Sequence, residues 1–155
     1  MLFCDLDDFK RVNDVHGHLA GDEVLVEAAR RLGAELRQED TLARLGGDEF
    51  AVLLERSPDP GAVAQRLVAA LGAPMAVAGT RLQLSISVGM ATVVDEPGVT
   101  TDQLLRRADR AMYLVKADGK AGWRDDEDAE RVPRHLPGRL RDRAAVQPVG
   151  SPPRP

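Results

Sequence analysis

The chain predicts an α+β domain, a ferredoxin-like arrangement in which a central, mostly antiparallel sheet is flanked by helices. Three observations carry that prediction. Strand-like and helix-like stretches follow one another in the order β-α-β-β-α-β-α. A glycine pair, Gly46-Gly47, separates two short apolar runs in the manner of a β-hairpin. Residues 82–90 alternate between apolar and small or polar side chains, which is the two-residue period of a strand.

Taken in order, residues 2–6 are an apolar run short enough for a buried strand. Residues 22–37 place Val24, Leu25, Ala28, Ala29, Leu32 and Leu36 on one stripe, the spacing of an amphipathic helix. Thr41–Leu45 and Phe50–Leu54 are the two arms of the hairpin, with Gly46-Gly47-Asp48-Glu49 between them; glycine takes positive φ there without strain. A helix is predicted at about 60–72 and a half-buried strand at 82–90. Thr100 and Gln103 have the spacing of a capping box, opening a helix that runs to about Lys116.

At 155 residues the chain has room for one core and a tail. The composition changes near residue 124: residues 124–155 hold six of the ten prolines and few aliphatics, too little apolar surface to offset the entropy of ordering. The predicted division is a folded domain over 1–123 and a disordered, Pro/Arg-rich tail over 124–155. The net charge of −4 argues against nucleic-acid or membrane-surface binding. One cysteine, Cys4, allows neither a disulfide framework nor a thiolate zinc cage. No apolar run approaches the ~20 residues of a membrane span, and no signal-peptide pattern is visible, so a cytoplasmic protein is expected. Met1 opens directly onto the first strand, which predicts a fragment or a misplaced start.

Two acidic segments stand out. Asp5-Leu6-Asp7-Asp8 puts three carboxylates into four residues at a strand end, where mutual repulsion needs an offset. A divalent cation would supply it: alternation sets Asp5 and Asp7 on one face, and the Leu6 carbonyl adds an oxygen. On this segment alone, a solvated strand end with turn-forming aspartates is the better account. The hairpin tip contributes Asp48 and Glu49, which are either a wet turn or a second set of ligands for the same ion. Brought to neighbouring strand ends, the two segments have the chemistry of metal-assisted phosphoryl transfer.

The surrounding series is more specific. Gly46-Gly47-Asp48-Glu49-Phe50 stands with Asp5-Leu6-Asp7-Asp8-Phe9-Lys10, Asn13-Asp14, Gly17-His18, Gly21-Asp22-Glu23, Ser87-Val88-Gly89 and Arg107-Ala108-Asp109. Over about residues 2–122 this resembles the GGDEF family of diguanylate cyclases. The resemblance implies a palm-like, nucleotide-cyclase-type fold and condensation of two GTP into cyclic di-GMP across a homodimer. It implies that Asp5, the Leu6 carbonyl and Asp48 hold Mg²⁺, with Mn²⁺ as the alternative ion. Asn13 and Asp22 would bind the guanine edge, and Asp8 with Phe9 would offer backbone N–H groups to the phosphates. Lys116 and Lys120 would neutralise the triphosphate. Glu49 would assist deprotonation of the 3′-hydroxyl or bind a second metal. From the residues alone, Asn13 and Asp22 are better read as capping a turn and the helix from Glu23 onward, and only the resemblance reverses that; the two lysines could be ordinary helix C-terminal cations.

Arg37-Gln38-Glu39-Asp40 matches the family's Arg-x-x-Asp inhibitory motif, which implies a feedback site for the product at Arg37 and Asp40, with Arg66 as a further contact. Taken alone, the tetrapeptide is a salt-bridged helix end. The chain departs from the family in lacking the helix and the Asp-x-Leu-Thr-Gly-Leu-x-Asn-Arg stretch that usually precede the first strand. It also carries Lys120 where arginine is usual. A second reading follows from these departures, a catalytically incomplete module that binds GTP or cyclic di-GMP as a regulatory effector domain.

Overall fold

The computed structural model describes residues 1–94, 96–130 and 147–148. Its frame is a six-stranded mixed sheet, assembled around the apolar run that opens the chain. That run is β1 (Leu2–Leu6), followed by helices α1 (Phe9–His16) and α2 (His18–Ala34). The hairpin β2 (Thr41–Gly46) and β3 (Glu49–Leu53) comes next, then α3 (Pro60–Gly72). A separate two-stranded ribbon, β4 (Met75–Val77) with β5 (Thr80–Leu82), precedes β6 (Ile86–Met90). The chain continues through α4 (Thr101–Ala117), β7 (Gly122–Asp125) and the short α5 (Asp126–Glu130), and β8 (Gln147–Pro148) pairs with β2. The sheet runs in the order β7-β6-β1-β3-β2-β8, and every pairing among these strands is antiparallel except β6 with β7. The α+β, palm-like arrangement anticipated from the sequence is the one observed.

Alternation along β1 builds the core. Leu2, Cys4 and Leu6 face one side of the sheet, where Val24 and Leu32 of α2 and Leu67 and Leu71 of α3 bury them. Phe3 faces the other side and meets Ala108 and Met112 of α4. Phe50 is fully buried beside Leu2 and Val88; covering a phenylalanine is worth roughly 1.5–3 kcal/mol.

Several expectations are corrected. The helix predicted over 22–37 is α2, and it spans His18–Ala34. A separate helix, α1, precedes it, and Gly17, at φ +83, makes the break between them. Only Phe9 and Val12 anchor α1 in the core, too sparse a stripe to be read as periodicity. The strand predicted over 82–90 divides, because Leu82 ends the β4–β5 ribbon and β6 begins at Ile86. It is buried on both faces rather than half-buried, since α4 covers Ser87 and Gly89. A Cβ on Gly89 would lie 1.9 Å from the Ala108 carbonyl oxygen and 2.3 Å from the Met112 nitrogen, so glycine is what allows the helix backbone to lie on the strand. Glu49 is the first residue of β3 and not part of the turn.

The division at residue 123 falls inside β7. Folded structure continues to Glu130, held by Asp126, whose buried carboxylate accepts a 2.5 Å bond from Arg107 Nε. The expected tail otherwise lies at residues 131–146 and 149–155, outside the described residues. The predicted capping box is present in full: Thr100 accepts from the Gln103 N–H, and the Gln103 side chain accepts from the Thr100 N–H. Among the described residues no helix is long and apolar enough to cross a membrane.

Candidate active site

The two acidic segments meet at one end of the sheet. The Leu6 N–H donates to the Asp48 carbonyl at 3.1 Å, and the register continues with Asp5 opposite Glu49. Because Leu6 and Asp48 form a hydrogen-bonded pair, Asp5 and Glu49 form the adjoining non-hydrogen-bonded pair. Side chains lie closest in such pairs, with about 4.5–5.5 Å between Cβ atoms. Asp5 is 2% exposed and Glu49 is 7% exposed, so two carboxylates are set side by side out of bulk water. Asp48, partly buried, stands next to them in the turn.

The turn is shaped by its glycines. Gly46 (φ +144) and Gly47 (φ +56) hold backbone angles that other residues rarely adopt. A bulge between Arg44 and Gly46 shifts the register, and Arg44 Nε donates to the Gly47 carbonyl at 2.9 Å. The backbone is thereby fixed where Asp48 leaves it.

Cations from the far end of the chain complete the site. Lys116, in the last turn of α4, places Nζ 2.5 Å from Asp5 Oδ1. Lys120 places Nζ 2.7 Å from Asp8 Oδ1. That hydrogen bond holds the exposed Asp8 carboxyl below the usual range and raises the Lys120 ammonium. Asp8 itself is left-handed, at φ 56, and turns the chain sharply from β1 into α1. The first N–H groups of α1, starting at Phe9, consequently open beside the carboxylates, and a helix N-terminus favours phosphate.

Packing of α1 on α2 sets Asn13 against Gly21. A Cβ on Gly21 would lie 1.9 Å from Asn13 Oδ1, so the asparagine amide rests directly on Gly21, one residue before Asp22. Asp22 lies inside α2 and caps no helix. Cys4 is a packing residue: burial pushes its thiol up to about 12.

The donor set suits a hard cation. It consists of carboxylate and carbonyl oxygens only, and among the described residues no three Asp, Glu, His or Cys side chains converge into a self-sufficient cage. Magnesium characteristically takes one or two carboxylates and completes its shell with water and substrate phosphates, so the residues fit it.

The inhibitory-motif residues occupy a different part of the surface. Asp40 closes a turn, accepting from the N–H groups of Arg37 at 3.0 Å and Glu55 at 3.3 Å. The Arg37 side chain is exposed, and among the described residues it makes no ion pair, so the salt-bridged helix end is not what forms. Arg66 on α3 reaches the end of α2, donating to the Glu35 carboxylate at 3.3 Å and to its carbonyl at 3.1 Å, two residues from Arg37.

Sequence reading gave no role to Ser85, Ser87 and Gly21, and for Asp7 it offered only a face shared with Asp5 toward a cation. The period-two pattern did set Ser85 and Ser87 on one face of the strand predicted over 82–90, but the register that turns that face toward Asp7 is not local information.

Comparison with known proteins agrees with this geometry. The family model for the diguanylate cyclase GGDEF domain matches residues 1–122. The bifunctional diguanylate cyclase/cyclic di-GMP phosphodiesterase MucR of Pseudomonas aeruginosa is 43% identical over 125 residues, covering 79% of this chain and 18% of MucR. The diguanylate cyclase TpbB of the same species is 41% identical over 128 residues, covering 80% of this chain and 29% of TpbB. The chain therefore spans less than a third of either relative. The crystal structure of the TpbB GGDEF domain is similar with a TM-score of 0.73 at 41% identity, covering 80% of this chain and 79% of that one. The GGDEF domain of DgcB from Caulobacter crescentus, solved in complex with c-di-GMP, gives 0.72 at 28% identity, covering 81% and 76%. A family match over residues 1–122, on a sheet that carries the signature at its hairpin, means that this chain belongs to the GGDEF-domain family of diguanylate cyclases.

Proposed function

We propose that this chain is the catalytic domain of a diguanylate cyclase, in which two copies, each holding one GTP, condense them into cyclic di-GMP. The observation that carries the proposal is the Leu6–Asp48 hydrogen bond, because it aligns Asp5 with Glu49 and brings two distant acidic segments to one strand end.

The roles follow from chemistry and position. Asn13 and Asp22 recognise the guanine edge: a carboxylate matches the ring N1–H and amino donors, which adenine lacks. The N–H groups around Asp8 and Phe9 bind phosphate at the start of α1, while Lys116 and Lys120 neutralise the remaining charge. Glu49 takes the proton from the 3′-hydroxyl, whose oxygen then attacks the α-phosphorus of the GTP on the partner domain as pyrophosphate leaves. Asp5, the Leu6 carbonyl and Asp48 would hold Mg²⁺, or Mn²⁺ in its stead, which when bound polarises the phosphate oxygens and stabilises the developing charge. A monomer binds GTP without turning it over, so pairing of domains is the switch. Product returns to Arg37, Asp40 and Arg66 as a feedback ligand; the c-di-GMP complex of the DgcB domain supports a product-binding GGDEF surface. A cytoplasmic setting, where GTP is available, completes the reading.

The test is a domain dimerised by a fused leucine zipper and supplied with GTP and Mg²⁺, with the product identified by mass spectrometry. Cyclic di-GMP should form, and Asp48→Ala or Glu49→Ala should abolish it. A folded, tethered dimer that makes none would leave a nucleotide-binding effector module in place of an enzyme.

A further inference from the structure

We infer that Asp7 is a positioning residue, the latch of the corner that carries Lys120, and not a ligand for the metal. The inference rests on the cyclase reading of the site and assigns a role to the one carboxylate of the opening cluster left without one.

Asp7 follows β1 directly and is 3% exposed. Its backbone N–H donates to the Ser85 carbonyl at 2.9 Å. Its carboxylate takes three neutral donors: Ser87 Oγ on Oδ1 at 2.7 Å, Ser85 Oγ on Oδ2 at 2.7 Å, and the Ala121 N–H on Oδ2 at 3.2 Å. A carboxylate has about four lone-pair positions, so this one is largely committed. Asp5, on the same face, presents an oxygen to the Lys116 ammonium instead. The cluster is thus divided between a group that faces the substrate and a group that faces the scaffold.

What Asp7 holds is an unfavourable backbone. Gly119, Lys120 and Ala121 have φ values of 106, 71 and 54, and two of the three carry a Cβ. Such a run persists only where its surroundings fix it. Two hydrogen bonds do so: Lys120 N–H to the Val115 carbonyl at 2.9 Å, and Ala121 N–H to Asp7. The same corner delivers Lys120 Nζ to Asp8 and leads into β7, where Gly122 pairs with Ser87. Losing the latch frees the corner to relax and takes the ammonium away from the phosphate-binding turn.

Asparagine at this position separates the two roles. Its oxygen can keep the Ala121 N–H, and the Ser87 hydroxyl can rotate to accept from its amide, so the latch survives without the charge. In titration calorimetry with GTP, Asp7→Asn should bind within about threefold of the parent, and Asp7→Ala about tenfold more weakly, the worth of one lost hydrogen bond. Amide exchange at Ala121, followed by NMR, should accelerate about tenfold in Asp7→Ala and stay slow in Asp7→Asn. Adding Lys120→Met to Asp7→Ala should cost little more, since both changes remove one contribution. Should Asp7→Ala fail to fold, Ser85→Ala removes one donor from the same oxygen and should give a smaller change in the same direction. Equal losses in Asp7→Asn and Asp7→Ala with Ala121 still protected would make Asp7 a charge-bearing ligand, and additive losses with Lys120→Met would detach it from that lysine. If the parent binds no GTP, the cyclase reading fails, while exchange at Ala121 still decides whether the latch exists.

Discussion

Lys116 Nζ stands 2.5 Å from Asp5 Oδ1, so the most buried carboxylate of the site is already matched by a cation from the end of α4. A divalent ion bound at Asp5 competes with that ammonium. Lys116→Met should therefore lower stability by on the order of 3 kcal/mol in metal-free buffer, the cost of breaking a buried pair from one side. Mg²⁺ should raise the melting temperature of the variant more than that of the parent. Thermal unfolding with and without Mg²⁺ measures both, and equal shifts would separate Asp5 from the metal.

Gly89 is a structural requirement of the α4–β6 contact. Both atoms that an added Cβ would strike, the Ala108 oxygen and the Met112 nitrogen, are backbone and cannot turn aside. Gly89→Ala should destabilise the domain by about 3 kcal/mol or more, at the upper end of overpacking costs. Urea denaturation gives the value.

Gly21 offers the opposite case. The atom its Cβ would meet is the end of the Asn13 side chain, which can rotate away. Gly21→Ala should keep stability within about 1 kcal/mol while weakening GTP binding by about tenfold, because it displaces the Asn13 amide, which the proposed function sets against guanine. Calorimetry against GTP, alongside a melting curve, distinguishes this from a general loss of fold.

Glu27 gives a pH signature. Arg30 and Arg31 donate to it at 2.7 Å, and these bonds lower its carboxyl from 4.5 to about 2. The folded form ionises at lower pH than the unfolded chain, so the stabilisation is complete above about pH 4.5 and is lost as pH falls through about 2. Solvent screens this surface group, so Glu27→Gln should cost about 1 kcal/mol at neutral pH. The gap in urea midpoint between parent and variant should narrow steadily below pH 4.5.

Arg37→Ala tests the proposed feedback role of this residue. The guanidinium is exposed, so stability should change by no more than about 0.5 kcal/mol. Cyclase activity of the tethered dimer should become insensitive to added cyclic di-GMP. Progress curves with and without added product show it, and inhibition equal to the parent's would remove Arg37 from that role.

Much of this was readable along the chain. The hairpin, the capping box at Thr100 and the strand at 2–6 are set by neighbours a few residues apart, and each formed as the pattern required. The conjunction of Asp5 with Asp48 was legible only through the motif series, because no local rule says which strand lies beside β1. Helix α1 escaped notice because two apolar anchors make no visible stripe. The function of Asp7 escaped because its three donors come from Ser85, Ser87 and Ala121, far along the chain and close only after the sheet is built.

Parallel pairing of β7 with β6 has a consequence for maturation. A parallel neighbour is not reached by a tight turn; the polypeptide must first run back along the sheet, here as α4. A nascent chain leaving the ribosome thus exposes its acidic mouth well before Lys116 and Lys120 arrive to balance it. The larger core cluster, drawn from the first ninety residues, can consolidate early, whereas the sheet face that α4 covers and the acidic mouth are finished last. Damage late in the gene would then uncover the acidic mouth and the α4 face of the sheet while sparing the larger core cluster.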